Sequence, residues 1–299
     1  MSEVSTIEQE VGVAQPVAAG QSLQTMAWRQ LWRKRTAFVG LGIIVVLVLT
    51  AMLAGVLAPY DPTATGSGEP MLLPNWQHPL GTDMLGRDML SRIIYGSRVA
   101  LYVGVLSLVP AIFAGVPLGV ISGFYGGIID NVIMRLMDIM LAFPIFLLAI
   151  VVMVILEPST TNVVIALGIV RIPIYARIVR GSVLSVKALT YIEAAKALAV
   201  RDPRLLWRHI LPNCMAPIIV TSTLSVGVSI IAEASLSFLG LGTQPPTPSW
   251  GWDLKANLMI LEINPWLCIF PGVAIFLTVL AFNLFGDGLR DALDPRLKM

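Results

Sequence analysis

Long apolar runs alternate with polar segments along the chain. About 20 consecutive apolar residues suffice for a helix that crosses the hydrocarbon core of a bilayer. Several of the runs contain interior prolines, which membrane helices tolerate and soluble core helices rarely contain. The pattern therefore predicts an all-α, polytopic membrane protein with six transmembrane helices. The predicted spans are residues 37–59, 99–123, 139–156, 162–179, 213–238 and 266–285.

Two local patterns refine these spans. Gly115 and Gly119 form a small-xxx-small step, which is typical of close packing between membrane helices. The third span is expected to bend near Pro144, since proline disrupts helix hydrogen bonds. The residues before it, 124–138, are predicted to be a short turn.

The polar segments indicate the orientation of the chain. Arg29, Arg33, Lys34 and Arg35 precede the first span, and such cations favour the cytoplasmic side. Most other Lys and Arg residues fall on segments that an inside start also places inside. The predicted divisions are a cytoplasmic tail with an interfacial helix (1–36), the first span (37–59), a periplasmic loop (60–98), a core of five spans (99–286) containing a cytoplasmic loop (188–212), and a cytoplasmic tail (287–299).

The N-terminal segment combines two patterns. Residues 1–27 are polar and lack the basic start of a signal peptide, so they are predicted to be a mostly disordered cytoplasmic lead. Trp28, Leu31 and Trp32 then share a helical face among cations. Aromatic rings at headgroup depth beside cations predict an anchor on the lipid bilayer.

Composition supports a membrane protein and excludes other classes. Of the 299 residues, 56% are hydrophobic and 13% charged, whereas a soluble domain is about half apolar and a quarter charged. The net charge of +2 is too small to indicate nucleic acid as a partner. Two cysteines and two histidines, in no cluster, leave no metal site of ordinary spacing.

A charged island at residues 190–213 separates two apolar runs. Thr190 and Glu193 are spaced as a capping box, and an alanine-rich stretch that follows them favours helix. Asp202-Pro203 is expected to end this helix and begin a second, because Asp caps well and Pro tolerates the first turn. Pro212 marks the end of the second helix. The island therefore predicts two short helices set at an angle.

Two charged residues lie within the spans. Arg171 is mid-run, and an intramembrane Arg usually faces a cavity or a partner. It either contacts a path through the membrane or forms one half of a structural pairing. Glu233 lies near the outer end of the fifth span. It either meets a cationic substrate terminus or lines an outer gate, or it is a solvent-wetted side chain at the interface.

The island resembles the EAA loop of ATP-binding-cassette importer permeases. The resemblance rests on Glu193-Ala194-Ala195, on position 199 and on Leu211-Pro212. The family pattern has Gly where this chain has Ala199, and an aliphatic residue where it has His209. Alanine is expected to be a mild change there that favours helix.

Other segments resemble the peptide-type permeases of the same family. Residues 78–92, His-Pro-Leu-Gly-Thr-Asp-Met-Leu-Gly-Arg-Asp-Met-Leu-Ser-Arg, match a signature that precedes their second span. Asp83 and Asp88 are placed to cap helices there, and Arg87 or Arg92 to pair with them. The sequences at 235–251 and at 286–296 resemble the same family.

The resemblance implies a permease subunit of an importer in the bacterial inner membrane, with both termini cytoplasmic. The implied partners are a second homologous permease, two cytoplasmic ATPases and an extracytoplasmic substrate-binding protein. No phosphate-binding loop of the form G-x-x-x-x-G-K-[ST] occurs, so no cofactor is expected on this chain, and the ATPases would bind ATP and Mg. The residues implied in coupling to the ATPases are Glu193, Ala194, Ala195, Ala199, Arg201, Asp202 and Pro212.

The substrate and two other function classes stay open at this point. Relatives of this type import dipeptides, oligopeptides, glutathione or nickel chelates, and di- or oligopeptides are favoured on family breadth. An ion-coupled secondary transporter should have acids in mid-membrane beside broken helices, whereas the acids here lie mainly in loops and at span edges. A membrane enzyme is disfavoured because no catalytic arrangement such as Ser-His-Asp is visible.

Overall fold

The computed structural model describes residues 34–293, and over this range the regular elements are helices. The predicted lead at 1–27 and the predicted anchor of Trp28, Leu31 and Trp32 lie outside the described residues. The helices are α1 (Arg35–Met52), α2 (Ala54–Leu57), α3 (Met89–Leu106), α4 (Leu108–Tyr125), α5 (Gly127–Leu141), α6 (Ile145–Leu156), α7 (Thr160–Lys187), α8 (Thr190–Ala197), α9 (Asp202–Leu205), α10 (Met215–Leu239), α11 (Trp250–Asn257) and α12 (Trp266–Leu293).

The apolar helices confirm the predicted class of fold. Five helical stretches in the described range are long and apolar enough to cross a membrane, and a bent pair of helices is the candidate sixth. The five stretches are α1, α3 with α4, α7, the run from Asp202 to Leu239, and α12. This agrees with the six predicted spans when the bent pair is taken as one.

The bent pair corrects one prediction and confirms another. α5 and α6 meet at 87° around Pro144, where a break was expected. However, residues 124–138 are not a short turn, because α5 occupies most of them. Ile128, Val132 and Leu136 recur at helical spacing on an exposed face, so the segment forms an amphipathic helix.

The helix ends differ from the limits of the apolar runs. α3 begins at Met89, ten residues before the predicted second span at 99. The Asp88 carboxylate caps it by accepting from the Ser91 amide at 2.8 Å, which confirms the predicted cap. α7 and α12 continue to Lys187 and Leu293, beyond the predicted ends of their spans. Caps and turns set helix ends, whereas hydropathy sets only the membrane-crossing part.

Two ends of the helical bundle can be distinguished. The loop end carries α8 and α9, and the far end carries the segment 58–88 together with α11. Lys34, before α1, pairs with Asp291 near the end of α12. Residues of α12 also line a cleft with Asn213, so both limits of the described chain lie at the loop end.

Glycines allow α4 and α7 to pack at short distance, as the small-xxx-small step predicts. A Cβ built on Gly119 would lie 2.4 Å from the Ala176 carbonyl oxygen and 2.8 Å from the Val179 Cβ. A Cβ on Gly115 would lie 2.7 Å from the Ile172 carbonyl oxygen. Backbone atoms cannot move aside as a flexible side chain can, so α4 requires glycine at these positions.

A paired substitution tests this packing. Gly119→Ala is expected to destabilise the fold by about 1–3 kcal/mol, because the methyl group overpacks the contact with α7. Gly181→Ala is the matched control, since a Cβ there meets nothing within 4 Å. It should be neutral or stabilise α7 by up to about 1 kcal/mol. Thermal unfolding of the purified protein in detergent measures both, and equal effects would contradict the packing argument.

Candidate functional site

The charged island folds into the two short helices that its sequence predicts. α8 is followed by residues 198–201 and then by α9, and a π turn at Leu206–Ile210 and a 3₁₀ turn at Leu211–Cys214 lead into α10. Pro212 lies in the second of these turns. We call residues 188–214 the coupling loop.

The predicted caps of these helices are not formed. Thr190 is already the first residue of α8, and Leu189 is its cap residue without a side-chain bond. The Leu189 carbonyl accepts from the amides of Ile192 and Glu193 at 2.9 and 3.3 Å. These amides are therefore satisfied by the backbone, and the capping box has no role. At α9 the cap residue is Arg201, and Asp202 is the first helical residue.

One face of the coupling loop is buried against the membrane helices. Ile192, Leu205 and Ile210 are fully buried, and they belong to one apolar cluster with Val183 of α7 and Ile218 of α10. Burial of such a side chain contributes roughly 1.5–3 kcal/mol. The loop is thus fixed to α7 and α10 by apolar packing.

The opposite face of the coupling loop is exposed. Glu193 and Ala194 are exposed, Ala195 is half-buried, and Glu193 has no ion-pair partner within residues 34–293. Leu198 and Trp207 are 80% and 73% exposed. This face presents apolar side chains beside charge, as a protein-docking surface does. The other residues predicted to couple are exposed as well: Ala199, Arg201, Asp202 and Pro212.

A basic cleft lies beside this face. Its volume is about 720 Å³, and within the described part of the chain its arginines form no ion pair. Of the residues that line the cleft, the sequence pattern indicates only Ala199 and Arg201 as site residues, because the convergence of the arginines depends on the turn between α8 and α9. The cleft is lined by Leu198, Ala199, Val200, Arg201, Arg204, Arg208 and His209.

Ala199 does not favour helix here, contrary to expectation. It follows the end of α8 with a φ of 54°, in the left-handed region. The Ala199 amide bonds to the Lys196 carbonyl at 2.9 Å and the Val200 amide to the Ala195 carbonyl at 3.2 Å. These are the bonds of a Schellman motif, whose left-handed position is usually glycine. Helix propensity is therefore irrelevant at this position.

Replacement of Ala199 with glycine is expected to stabilise the coupling loop by about 1 kcal/mol, because the Cβ clash of the left-handed conformation is removed. The matched control is Ala194→Gly inside α8, which should cost about 1 kcal/mol. Limited proteolysis of the loop in the purified protein reports both changes. If both variants are cleaved faster than the wild type, the left-handed conformation of Ala199 is not strained.

Phe124 connects the coupling loop to the end of α4. The ammonium groups of Lys187 and Lys196 lie 5.8 and 5.6 Å from the centroid of its ring, and Lys187 also donates to the Phe124 carbonyl at 2.6 Å. Such cation–π contacts contribute about 0.5–2 kcal/mol. No sequence pattern indicates Phe124 as a site residue, because the contact joins residues far apart in the chain.

Arg171 connects two membrane helices. Its Nη1 donates to the Ser225 carbonyl of α10 at 2.8 Å. One turn further along α7, the Tyr175 hydroxyl donates to Ser222 at 3.0 Å. Arg171 is buried, and its observed partner is structural; its place on a transport path stays a prediction.

Glu233 is buried at the far end of α10 rather than wetted at an interface. It is only 2% exposed. Its Oε1 accepts from the hydroxyls of Ser237, Thr243 and Ser249 at 2.7, 3.1 and 3.0 Å. Two of these donors belong to the segment between α10 and α11. Glu233 therefore fixes that segment over the end of α10, and a contact with substrate requires this cluster to open.

Residues 78–92, which match the family signature, form a network of hydrogen bonds at the far end. The buried Asp88 carboxylate caps α3 and also bonds to Nδ1 of His78 at 2.9 Å. Asp83 accepts from the Arg87 side chain at 2.6 Å, which confirms that predicted pair. These bonds fold the segment back onto the start of α3.

Arg92 does not pair with an acid of its own segment. Its Nε donates to Asp253 of α11 at 2.7 Å, and its Nη1 donates to the Pro62 carbonyl at 3.0 Å. Both partners of this ion pair are buried. The pair therefore joins α3, α11 and the segment before α3.

Profiles of two known families match the sequence. Residues 115–299 match the binding-protein-dependent transport system inner membrane component. Residues 22–74 match the N-terminal TM domain of oligopeptide transport permease C. The two matches together cover most of the chain, including the coupling loop.

Curated relatives are similar over nearly their whole length. The dipeptide transport system permease protein DppC of Alkalihalophilus pseudofirmus is 46% identical, with 91% of this chain and 90% of the relative covered. The glutathione transport system permease protein GsiD of Pectobacterium atrosepticum is also 46% identical, with 95% of each covered. DppC of Haemophilus influenzae is 44% identical, with 91% and 94% covered.

A solved structure has a similar fold. An inward-facing MetNI methionine ABC transporter contains a chain that matches with a TM-score of 0.56 and 16% identity. The match covers 69% of this chain and 98% of that chain. At this identity the likeness concerns the arrangement of helices alone.

Proposed function

Because the chain belongs to the family of binding-protein-dependent transport system inner membrane components, we propose that it imports dipeptides or oligopeptides as one of two paired permeases in an ATP-driven transporter. The observation that carries this proposal is the coupling loop. Its exposed face carries apolar and charged side chains that a partner protein can contact. Its buried face is part of the apolar cluster of α7 and α10. A partner that moves the loop therefore moves the membrane helices.

The partner at the coupling loop is proposed to be the ATPase. In this scheme Glu193, Ala194 and Ala195 contact it, with Ala199, Arg201, Asp202 and Pro212 completing the surface. ATP and Mg are bound by the ATPase chains, and this chain performs no chemistry on them. Displacement of α8 is passed on through Ile192 to α7, and through Lys196 to Phe124 and α4.

The loop end of the bundle is proposed to face the cytoplasm of a bacterium. The predicted excess of cations at this end supports that orientation. Both chain termini then lie in the cytoplasm, since α1 begins and α12 ends at the loop end. The far end faces the substrate-binding protein, and the transport path lies between this chain and a second, homologous permease.

The substrate is proposed from the curated relatives. The curated relatives are named for dipeptide transport or for glutathione transport, and one relative of each kind is 46% identical to this chain. Glutathione is itself a modified tripeptide, so both names describe small peptides with a free amine and free carboxylates. Glutathione and nickel chelates are the alternatives to be distinguished by experiment, and an ion-coupled transporter is not favoured over the importer.

Uptake measurements test the function directly. Cells that lack this chain should take up a labelled dipeptide only when the wild-type chain is restored. Unlabelled dipeptides and oligopeptides should compete, and glutathione and nickel should not. Competition by glutathione or nickel alone would overturn the peptide assignment and leave the importer intact. Dipeptide uptake that never depends on the chain would also remove the peptide assignment.

A further inference from the structure

A hairpin-like projection at the far end presents one tryptophan. The Met71 amide bonds to the Asp83 carbonyl at 3.0 Å, and the Thr82 amide bonds to the Leu72 carbonyl at 3.2 Å. Residues 73–81 therefore form the tip of a paired segment. Trp76 lies at this tip and is fully exposed.

The tip is held in one conformation by its own hydrogen bonds. The Asn75 side chain accepts from the amides of Gln77 and His78 at 2.9 and 2.8 Å, and the Asn75 amide bonds to the His78 carbonyl at 2.9 Å. The His78 ring is buried, stacks on Tyr60 at 4.7 Å and bonds to Asp88. A rigid turn loses little entropy on binding, so it is preorganised to bind a partner.

The surface around Trp76 is open and largely apolar. A groove of about 410 Å³ is lined by Pro74, Asn75, Trp76 and Pro79, and the neighbouring Leu73 is 59% exposed. A fully exposed indole leaves a large apolar area in contact with water. Trp is also among the residues most enriched where binding energy is concentrated in protein interfaces.

The charge of residues 60–86, the segment that contains the projection, distinguishes between two occupants. The sequence from Tyr60 to Gly86 contains no Lys or Arg. Its acids are Asp61 and Glu69, which are exposed, and Asp83, which is paired with Arg87. An acidic surface is repelled by anionic lipid and attracted by a basic protein surface. The surface therefore fits a partner protein better than a membrane.

We propose that Trp76 is the docking anchor for the substrate-binding protein, which presents an apolar pocket for the indole and Lys or Arg residues around it. This inference rests on the proposed importer and on the proposed orientation. Asp61 and Glu69 steer the basic partner toward the projection, and the turn at Asn75–His78 holds the indole in position.

The affinity of the binding protein tests the proposal. The assembled transporter is placed in discs of neutral phosphatidylcholine, with the binding protein that supports dipeptide uptake as the probe. Trp76→Ala is expected to raise the Kd at least about 30-fold, as removal of an interface hot spot does. Met259→Ala is the control, because Met259 is 92% exposed at the same end but outside the projection, and its Kd should change less than about threefold.

Two further measurements separate the possible outcomes. Asp61→Lys with Glu69→Lys should weaken binding, and added salt should weaken wild-type binding, since both reduce the charge attraction. ATP hydrolysis of the Trp76→Ala complex should be normal without the binding protein and should recover when that protein is saturating. An unchanged Kd, or equal losses in both alanine variants, would overturn the proposal.

A fluorescence measurement, combined with the Kd, distinguishes lipid from protein as the partner of Trp76. If the indole instead contacts lipid, brominated lipid quenches more tryptophan fluorescence in the wild-type transporter than in the Trp76→Ala transporter, and Trp76→Ala leaves the Kd unchanged. That result overturns the docking proposal alone. Failure of the wild-type transporter to bind any such protein, together with absent uptake, overturns the proposed function itself.

Discussion

Replacement of Glu193 with arginine is expected to abolish peptide uptake while the chain stays folded in the membrane. Glu193 is exposed and has no ion-pair partner in the described range, so reversal of its charge disturbs no packing within the chain. At a docking surface, a reversed charge commonly costs several kcal/mol of association. We expect uptake to fall by at least about 30-fold, which corresponds to 2 kcal/mol.

Uptake of a labelled dipeptide measures this effect, and co-purification of the ATPase shows whether docking is the step lost. Glu157→Arg is the matched control, because Glu157 is an exposed acid in the turn between α6 and α7, at the far end. Its variant should retain ATPase association and at least half of the uptake. Wild-type uptake by the Glu193 variant would remove this residue from the coupling scheme.

Replacement of Arg92 with methionine is expected to be the most destabilising single change considered for the far end. Arg92 and Asp253 are both buried, so loss of the guanidinium leaves a buried carboxylate without its partner. Breaking a buried ion pair in this way typically costs about 3–5 kcal/mol. The melting temperature of the purified protein in detergent should fall accordingly.

The double variant Arg92→Met with Asp253→Leu distinguishes the charge from the packing. Apolar replacement of both partners is often neutral, so most of the lost stability should return. Arg98→Met is the control, since Arg98 is exposed and donates to the Ala51 carbonyl at 2.7 Å; its loss should cost about 1 kcal/mol. A double variant as unstable as the Arg92 variant would contradict the buried-charge account.

The membrane-spanning class follows from hydropathy, because the cost of lipid-exposed polar backbone leaves few alternatives. The ends of the helices do not follow from it. α3 begins at a cap formed by Asp88. α5 carries a stripe of apolar residues on one face, but its segment is too short to be recognised as a membrane span. Such features depend on local geometry that average hydrophobicity does not contain.

Contacts between distant segments were the least predictable part of the site. Arg92 and Asp253 are 161 positions apart, and no periodicity in the sequence relates them. Glu233 was recognised as unusual, but its three hydroxyl partners depend on how the segment after α10 folds back. At Ala199 a local rule failed instead. Alanine favours helix, but the Schellman turn that ends α8 places Ala199 in the left-handed conformation.

The division of the coupling loop into a buried and an exposed face has an evolutionary consequence. Ile192, Leu205 and Ile210 hold the loop against the membrane helices, whereas Glu193 and Trp207 are exposed. Substitutions on the exposed side therefore accumulate without repacking of the bundle. Under the proposed docking, one energising subunit could be exchanged for another by surface mutation alone, without repacking of the membrane helices.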